Sequence, residues 1–373
     1  MSIYDELGIH SVINGNATLT AWGGSLMPPE VVRAMSEAAQ AFVDIHELQR
    51  RVGNEIAGLT RNEAAYVSSG CAAAMVLATA ACMAGVDEDK RARLPATDGM
   101  KDEIIVHGHT RVPYDFCIRQ VGARLVEIGS PQCTSRNELQ RAINDRTAAM
   151  FYFANANTDP GSLPIPQAVE ICHNRGVPVL VDGAAQIPPK ENLWKWTVED
   201  GADLAMFSGG KGLRGPQAAG LALGKRDLIE AMRFHGPPHQ FFGRPMKVGK
   251  EEICGILAAV RWYLAQDEVA LLRRYEKQVQ YLVSVFADVS GVTARRSFPS
   301  EAGQPMPRAE LIFDQATLRV SRDEILARLQ SGDPPILLAE AGEHGVFVNP
   351  QTLYGEEEQL IAERLKEIIR LPI

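Results

Sequence analysis

Residues 177–186 read Val177-Pro178-Val179-Leu180-Val181-Asp182-Gly183-Ala184-Ala185-Gln186, an apolar run that ends on an acid. A strand that is apolar throughout is typical of parallel sheets covered by helices on both faces. A carboxylate at the end of such a strand is costly to bury unless a cation or a strong donor meets it. Asp182 is therefore expected either to meet a protonated ring nitrogen of a ligand, with the small Ala184 against the ring, or simply to cap a turn.

A lysine among glycines follows the next apolar run, in the stretch Leu204-Ala205-Met206-Phe207-Ser208-Gly209-Gly210-Lys211-Gly212-Leu213-Arg214-Gly215-Pro216. Desolvation and neighbouring positive charge lower the pKa of a lysine, which makes its amine nucleophilic toward an aldehyde. The same glycines also suit a loop that binds nucleotide phosphates, but the Gly-x-x-x-x-Gly-Lys-Ser/Thr spacing is missing. Lys211 is thus predicted to form a Schiff base.

The surrounding region repeats one sequence pattern, in which a short apolar run is followed by a turn and an amphipathic helical stretch. This alternation is typical of an α/β fold with a mostly parallel sheet. Seven strands of one sheet are predicted at 64–67, 103–106, 124–128, 148–153, 177–181, 204–207 and 219–223. Helices are predicted between them at 71–84, 114–120, 135–144 and 165–175.

The pattern changes after Gly249, where a long helical segment at 251–287 precedes short strands and a charged helix at 356–370. The length of 373 residues allows two or three domains. We predict an N-terminal arm at 1–50, a large domain at 51–249 and a small α+β domain at 250–373. The aromatic, turn-rich stretch 234–243 is either an active-site or interface loop or a plain connector.

Composition excludes several classes of protein. Hydrophobic residues make up 46% of the chain and charged residues 23%, with a net charge of −8, which excludes disordered and collagen-like chains. The acidic balance argues against nucleic acid or an anionic membrane as the main partner. The start carries no signal-like segment, and the six cysteines form no C-x-x-C pair, so a cytoplasmic location with reduced thiols is expected.

Two further strand ends carry polar groups. The stretch Ser68-Ser69-Gly70-Cys71-Ala72-Ala73-Ala74 opens a helix of small residues, which suits either a phosphate site or an ordinary Ser cap. The stretch Val106-His107-Gly108-His109-Thr110-Arg111 offers an imidazole that stacks on an aromatic ligand. A structural histidine is the alternative, and no metal is predicted because no matching ligand cluster lies nearby in the sequence.

The order of these pieces resembles fold type I pyridoxal 5'-phosphate (PLP) enzymes, which have the aspartate aminotransferase-like transferase fold. More narrowly, the chain is similar to the selenocysteine-synthase-like group that includes D-glucosaminate-6-phosphate ammonia-lyase. The resemblance covers nearly the whole length and rests on the segments at 24–31, 68–73, 178–182, 208–217 and 246–253.

The resemblance implies a role for each site residue. Lys211 would form the Schiff base with PLP, Asp182 would pair with the pyridine nitrogen, and His109, with His107 as second choice, would stack on the ring and act in catalysis. The remaining cofactor contacts would be Ser69, Gly70, Cys71 and Ser208 at the phosphate, Ala184 on the opposite ring face, and Gln186 toward the ring hydroxyl.

Substrate contacts are implied less directly. Arg214, Arg244 and Arg308 are candidates for substrate binding, because a guanidinium fork suits two carboxylate oxygens; a surface ion pair is the alternative for Arg214 and Arg308. A phosphorylated substrate would need a second anion site, for which Arg111, Arg214 and Arg244 are the candidates. The resemblance also implies a homodimer or larger homo-oligomer with shared active sites. The acidic charge and the absence of the tRNA-binding N-terminal domain of selenocysteine synthases indicate a small-molecule substrate, and Trp22 stands where a smaller residue is expected.

The expected reaction is a lyase reaction in amino acid metabolism, in which α,β-elimination from an amino acid or amino sugar acid gives a 2-keto acid and ammonia. An amino acid racemase or epimerase, with the second proton from Cys71, Cys117 or a histidine, is the alternative. A selenium or sulfur transferase-like activity, or a non-catalytic metabolite-binding protein, would also be compatible with this fold.

Overall fold

The computed structural model describes residues 2–370 and divides the chain into two compact units. The larger unit contains Met27–Gln266 and Ala302–Gln304. The smaller unit takes the described residues of Met1–Leu26, Asp267–Glu301 and Pro305–Ile373.

Helices and strands alternate along the larger unit, as the sequence pattern predicts. The strands of the described chain are β1 Ile13–Gly15, β2 Ala64–Ser68, β3 Glu103–His107, β4 Arg124–Ile128, β5 Thr147–Phe153, β6 Val179–Asp182, β7 Leu204–Ser208, β8 Gly220–Gly224, β9 Val292–Ser297, β10 Arg308–Phe313, β11 Ile336–Ala341 and β12 Gly345–Val348. The α-helices are α1 Ile3–Glu6, α2 Pro29–Ala39, α3 Ile45–Leu59, α4 Gly70–Ala84, α5 Glu88–Arg93, α6 Phe116–Arg119, α7 Arg136–Ala142, α8 Ile165–His173, α9 Arg226–His235, α10 Lys250–Leu264, α11 Glu268–Phe286, α12 Gln315–Leu318, α13 Arg322–Gln330 and α14 Glu357–Arg370.

The larger unit is built on one seven-stranded sheet with the order β2-β8-β7-β6-β5-β3-β4. β8 runs antiparallel to both of its neighbours, and the remaining pairs are parallel. The predicted seven-stranded, mostly parallel sheet is therefore confirmed. Every residue of β5 is buried, as expected for a strand covered on both faces.

Two apolar cores cover the two faces of this sheet. Val179 and Val181 of β6 belong to one core, whereas Leu180 belongs to the other, because successive side chains of a strand point to opposite faces. α4 is buried along almost its whole length, and its alanines let it lie close to the sheet. Since both faces are closed, the edge at the carboxyl ends of the parallel strands is left as the place for a ligand.

The long helical segment predicted at 251–287 is two helices. α10 ends at Leu264, and α11 begins after Asp267, whose carboxylate accepts the Ala270 N–H at 3.0 Å as an N-cap. α10 packs against α2 and α3 within the larger unit. α10 thus belongs to the larger unit, whose main segment ends at Gln266.

The smaller unit contains a five-stranded sheet with the order β1-β11-β12-β10-β9. Its strands are antiparallel except for β1, which pairs with β11 in parallel. α11, α13 and α14 pack with this sheet around one apolar core. The unit thus has the predicted α+β character, but it also includes the first strand of the chain. No helix of the 2–370 range is long and apolar enough to cross a membrane.

Candidate active site

A cavity of about 250 Å³ opens at the carboxyl ends of β3, β5, β6 and β7 in the larger unit. Three residues predicted as catalytic, His109, Asp182 and Lys211, line this one cavity. The other lining residues are Thr110, Arg111, Val112, Tyr114, Phe153, Ala154, Asn155, Thr158, Ala184, Ala185, Gln186 and Ala302. The fold therefore brings His109 and Lys211 to one cavity although they lie 102 positions apart in sequence.

Asp182 is the last residue of β6, and its carboxylate is anchored at one oxygen. Oδ1 accepts the Ala184 N–H at 3.0 Å, and the Cys71 thiol lies 3.6 Å from the same oxygen. Burial raises the pKa of the Asp182 carboxyl, and the nearby Lys211 ammonium opposes that rise. Among the described residues no hydrogen bond is recorded to Oδ2, which leaves this oxygen for a ligand.

Lys211 lies in the loop that joins the antiparallel strands β7 and β8. The backbone closes tightly around it, since Gly209 N–H donates to Ala219 O at 2.8 Å and Gly215 N–H donates to Gly209 O at 2.8 Å. A methyl group on Gly212 would lie 2.7 Å from the carbonyl carbon of Ile187. The glycines around Lys211 are thus explained by close backbone packing.

The phosphate site predicted from the sequence would lie where α4 begins. Gly70 has a φ of +81°, and Ser69, the N-cap residue, uses no side-chain oxygen to cap the helix. Gly220 of β8 pairs with Ser68 on one side and with Ser208 on the other, so Ser208 lies two strands from Ser68. The Ser68 hydroxyl is already used, since it donates to Gly70 O at 2.8 Å. The N–H groups of the first helical turn and the hydroxyls of Ser69 and Ser208 are donors of the kind that a phosphate needs.

The two histidines differ in position. His109 lines the cavity, with its Nε2 3.2 Å from both Thr158 O and Ser162 Oγ. His107 is fully buried, and its Nε2 accepts the Leu163 N–H at 3.2 Å. Burial lowers the pKa of His107 to about 4, so it is neutral near pH 7. His107 thus has a structural position. Within residues 2–370 there is no group of three or more side chains that could hold a metal ion.

Gln186 is held by a short segment of the larger unit, Ala302–Gln304. Gln186 Nε2 donates to Ala302 O at 2.5 Å, and Gln304 Nε2 donates to Ile187 O at 2.7 Å. Ala302 also lines the cavity. The segment therefore fixes the loop that follows Asp182.

The three arginines predicted for the substrate lie in different places. Arg214 has a φ of +54° and stacks on the Trp262 ring at 5.1 Å, and Arg244 is exposed; neither belongs to the described lining of the cavity. In the smaller unit, Arg308 lies 3.4 Å from the Glu301 carboxylate and 3.8 Å from the centre of the Phe347 ring.

Arg111 is the arginine among the described lining residues. Its Nε donates to Asp115 at 2.7 Å and its NH1 to Glu127 at 2.5 Å. These two carboxylates raise the pKa of Arg111 above its usual range and fix its position.

Several lining residues were not singled out from the sequence, notably Tyr114, Asn155 and Thr158. Asn155 and Thr158 follow β5, so the rule that ligands bind at the carboxyl ends of parallel strands predicts their position. The same rule does not predict the position of Tyr114, because Tyr114 lies several residues after the end of β3.

These features fit PLP. Asp182 Oδ2 is open to a pyridine nitrogen, Ala184 offers a flat surface, and the start of α4 offers a phosphate site. The fold and the site together define a fold type I PLP-dependent enzyme. The sequence model of the SelA family, described as L-seryl-tRNA selenium transferase, matches residues 12–283, and the chain belongs to this family.

Relatives extend over almost the full chain. A 5'-C-glycyluridine monooxygenase-decarboxylase of Streptomyces sp is 32% identical over 98% of this chain and 92% of its own. D-Glucosaminate-6-phosphate ammonia lyase of Salmonella typhimurium is 31% identical over 98% of both chains. An L-seryl-tRNA(Sec) selenium transferase of Maridesulfovibrio salexigens is 25% identical over 96% of this chain and 82% of its own.

Solved structures of other proteins have the same fold as this chain. The structure of D-glucosaminate-6-phosphate ammonia-lyase superposes with a TM-score of 0.85 and 30% identity, covering 99% of this chain and 98% of that one. Serine palmitoyltransferase from S. paucimobilis (TM-score 0.60, 13% identity, 96% of this chain and 87% of that one) shares the fold alone. The predicted fold class, cofactor and enzyme class are confirmed.

Proposed function

We propose that this chain is a PLP-dependent lyase that removes ammonia from an amino acid or amino sugar acid by α,β-elimination. The observation that carries the proposal is that Lys211 and Asp182 line one cavity in a chain that superposes on D-glucosaminate-6-phosphate ammonia-lyase at a TM-score of 0.85. The net charge of −8 supports a small-molecule substrate over a nucleic acid.

When bound, PLP would supply a ring that withdraws electrons from the substrate's α-carbon. The β-hydroxyl group leaves with a proton as water, and the resulting enamine is hydrolysed to a 2-keto acid and ammonia. The water released in the first step equals the water consumed in the second, so the net products are one 2-keto acid and one ammonia.

Each site residue has a proposed task in this reaction. The Lys211 amine holds the cofactor and then takes the proton from the α-carbon. Asp182 Oδ2 keeps the ring nitrogen protonated. His109 stacks on the ring, and Ala184 packs on its opposite face. Gln186 approaches the ring hydroxyl.

The phosphate of the cofactor is proposed to bind Ser69, Gly70 and Cys71 at the start of α4 and Ser208 at the end of β7. The N–H groups of this first helical turn point at the anion, and the helix dipole adds to the attraction. The first turn of α4 contains no acidic residue, so no carboxylate repels the phosphate.

The substrate carboxylate requires a cation. Arg111 lines the cavity and is fixed by Asp115 and Glu127, so we add it to Arg214, Arg244 and Arg308 as a candidate. Two carboxylates already neutralise much of its charge, which favours a single carboxylate over a doubly charged phosphate as its ligand.

We also propose a homodimer or larger homo-oligomer with shared sites, acting in the cytoplasm. Sedimentation of the purified protein tests the assembly. A sedimentation coefficient of a 40.7 kDa monomer at micromolar concentration would contradict it.

The activity is tested with the PLP-loaded enzyme and a panel of β-hydroxy amino acids and amino sugar acids, with and without a phosphate group. Formation of 2-keto acid and ammonia in equal amounts is expected for one member of the panel. Oxygen uptake with carbon dioxide release would instead favour the activity in the name of the 32% identical relative. Inversion of the α-carbon without ammonia would favour a racemase.

A further inference from the structure

Cys71 contributes more than a backbone N–H to this site. It is the second residue of α4, and its side chain is buried. Its Sγ lies 3.6 Å from Asp182 Oδ1, which is hydrogen-bond distance for a sulfur donor. The residue proposed for the phosphate site therefore also contacts the acid proposed to meet the ring nitrogen.

The thiol is the donor in this contact. Burial and the neighbouring Asp182 carboxylate raise the pKa of the Cys71 thiol well above its usual range. The sulfur therefore keeps its proton at neutral pH, and the proton has an anionic acceptor beside it.

Asp182 Oδ1 thus has two donors, the Cys71 S–H and the Ala184 N–H at 3.0 Å. Two donors on one oxygen fix the rotation of the carboxylate about its Cβ–Cγ bond. The other oxygen, Oδ2, then has a defined direction. A thiol is a weak ligand for a phosphate, whereas the helix N–H groups beside it are good ones, so the side chain is free for this second task.

We propose that Cys71 is a positioning residue whose thiol fixes Asp182 so that Oδ2 faces the cofactor's ring nitrogen. This inference rests on the proposed PLP site. The hydrogen bond stabilises the charged form of Asp182, and a charged Asp182 in turn stabilises the protonated ring nitrogen. Cys71 therefore influences how strongly the ring withdraws electrons, although it acts only through Asp182.

The test compares Cys71→Ala, which removes the donor, with Cys71→Ser, which keeps one. Cys82→Ala is the matched control, because Cys82 lies on the same helix and has no recorded hydrogen bond to Asp182. Each protein is loaded with ¹⁵N-labelled PLP, and the chemical shift of the ring nitrogen is followed by NMR from pH 6 to pH 10. PLP affinity and melting temperature are measured on the same samples.

In Cys71→Ala the ring nitrogen is expected to lose its proton at a pH lower by about half to one unit than in the wild type. Cys71→Ser is expected to recover most of this shift, and Cys82→Ala to titrate like the wild type. An alanine variant with the wild-type ring-nitrogen signal at every pH, or a serine variant that behaves like alanine, overturns the inference.

The two proposals fail in different ways. If the wild type binds no PLP, the proposed function fails first. If the wild type binds PLP and the Cys71 variants change only melting temperature or PLP affinity, with no change in the ring-nitrogen signal, the positioning role alone fails.

Discussion

Gly220 of β8 lies directly against Gly70 at the start of α4, so that a methyl group on Gly220 would stand 2.5 Å from the Cys71 nitrogen and closer still to the Gly70 carbonyl. Gly220→Ala is therefore expected to push the first turn of α4 away from the sheet. The expected result is a loss of about 1–3 kcal/mol in the free energy of unfolding and a clear loss of PLP affinity. Denaturant unfolding and a PLP titration measure the two effects.

Gly58→Ala is the matched control for this substitution. Gly58 lies within α3, and no atom would stand within 4 Å of its new methyl group. This variant is expected to gain about 0.5–1 kcal/mol with unchanged PLP affinity, because alanine is the better helix former. Equal behaviour of the two variants would contradict the proposed phosphate site.

Lys211→Ala removes the amine proposed to hold the cofactor and to move the α-proton. We expect the absorbance band of lysine-bound PLP to vanish after dialysis and turnover to fall by about 10²–10⁴-fold or more. Lys225→Ala is the control, since Lys225 pairs with Glu63 at 2.8 Å and lies outside the cavity lining. A Lys211→Ala protein that keeps the band would refute the Schiff-base role.

His109 is proposed to stack on the ring and to act in catalysis. His109→Phe keeps a flat ring but has no exchangeable proton, so PLP affinity should stay within a few-fold while turnover falls. His109→Ala should lose up to about tenfold in PLP affinity as well, the scale of one aromatic contact. A phenylalanine variant with full turnover would show that the ring only stacks. Equilibrium titration and initial rates separate the two roles.

His235 is fully buried, and its Nε2–H donates to Gly85 O at 2.8 Å. Burial lowers its pKa to about 4, whereas an unfolded histidine titrates near 6.5. The stability that comes from this difference is complete above about pH 6.5 and is lost as the pH falls toward 4. In this window one such group changes the free energy of unfolding by up to about 1.4 kcal/mol per pH unit.

His235→Gln is therefore expected to be less stable at pH 7 but to lose stability less steeply between pH 6.5 and pH 4. Urea unfolding at several pH values gives the slope for each protein. His173→Gln is the control, because His173 is exposed and pairs with Asp203. A His235→Gln slope equal to the wild-type slope would count against a neutral buried imidazole.

The sheet was predictable because several of its strands are apolar throughout and turns separate them. The predicted strand from 124 to 128, which is not wholly apolar, also matches β4 at both ends. The position of Asp182 and Lys211 in one cavity was predictable because both follow apolar strands whose carboxyl ends meet at one edge of the sheet. The break between α10 and α11 was not, since a helical pattern continues across Asp267 and only the capping geometry ends it.

The contacts that couple distant residues were also beyond the sequence. Nothing in the helical pattern of residues 71–84 indicates that the Cys71 thiol points at Asp182, 111 positions away. The contribution of Ala302–Gln304 to the larger unit was hidden for the same reason, because those residues lie in sequence between segments of the smaller unit. Such contacts depend on the direction of each side chain and on where distant segments of the chain meet, and local propensity encodes neither.

The loop that carries Lys211 joins two strands that are hydrogen-bonded to each other, with Ser208 opposite Gly220. Both ends of this loop are therefore fixed by the sheet. The cavity is also lined by residues of the short turns at 108–115, and turns tolerate changes in sequence and length more readily than paired strands do. Substitutions at the turn residues other than His109 can thus change the substrate preference, while Lys211 and Asp182 stay where the sheet holds them.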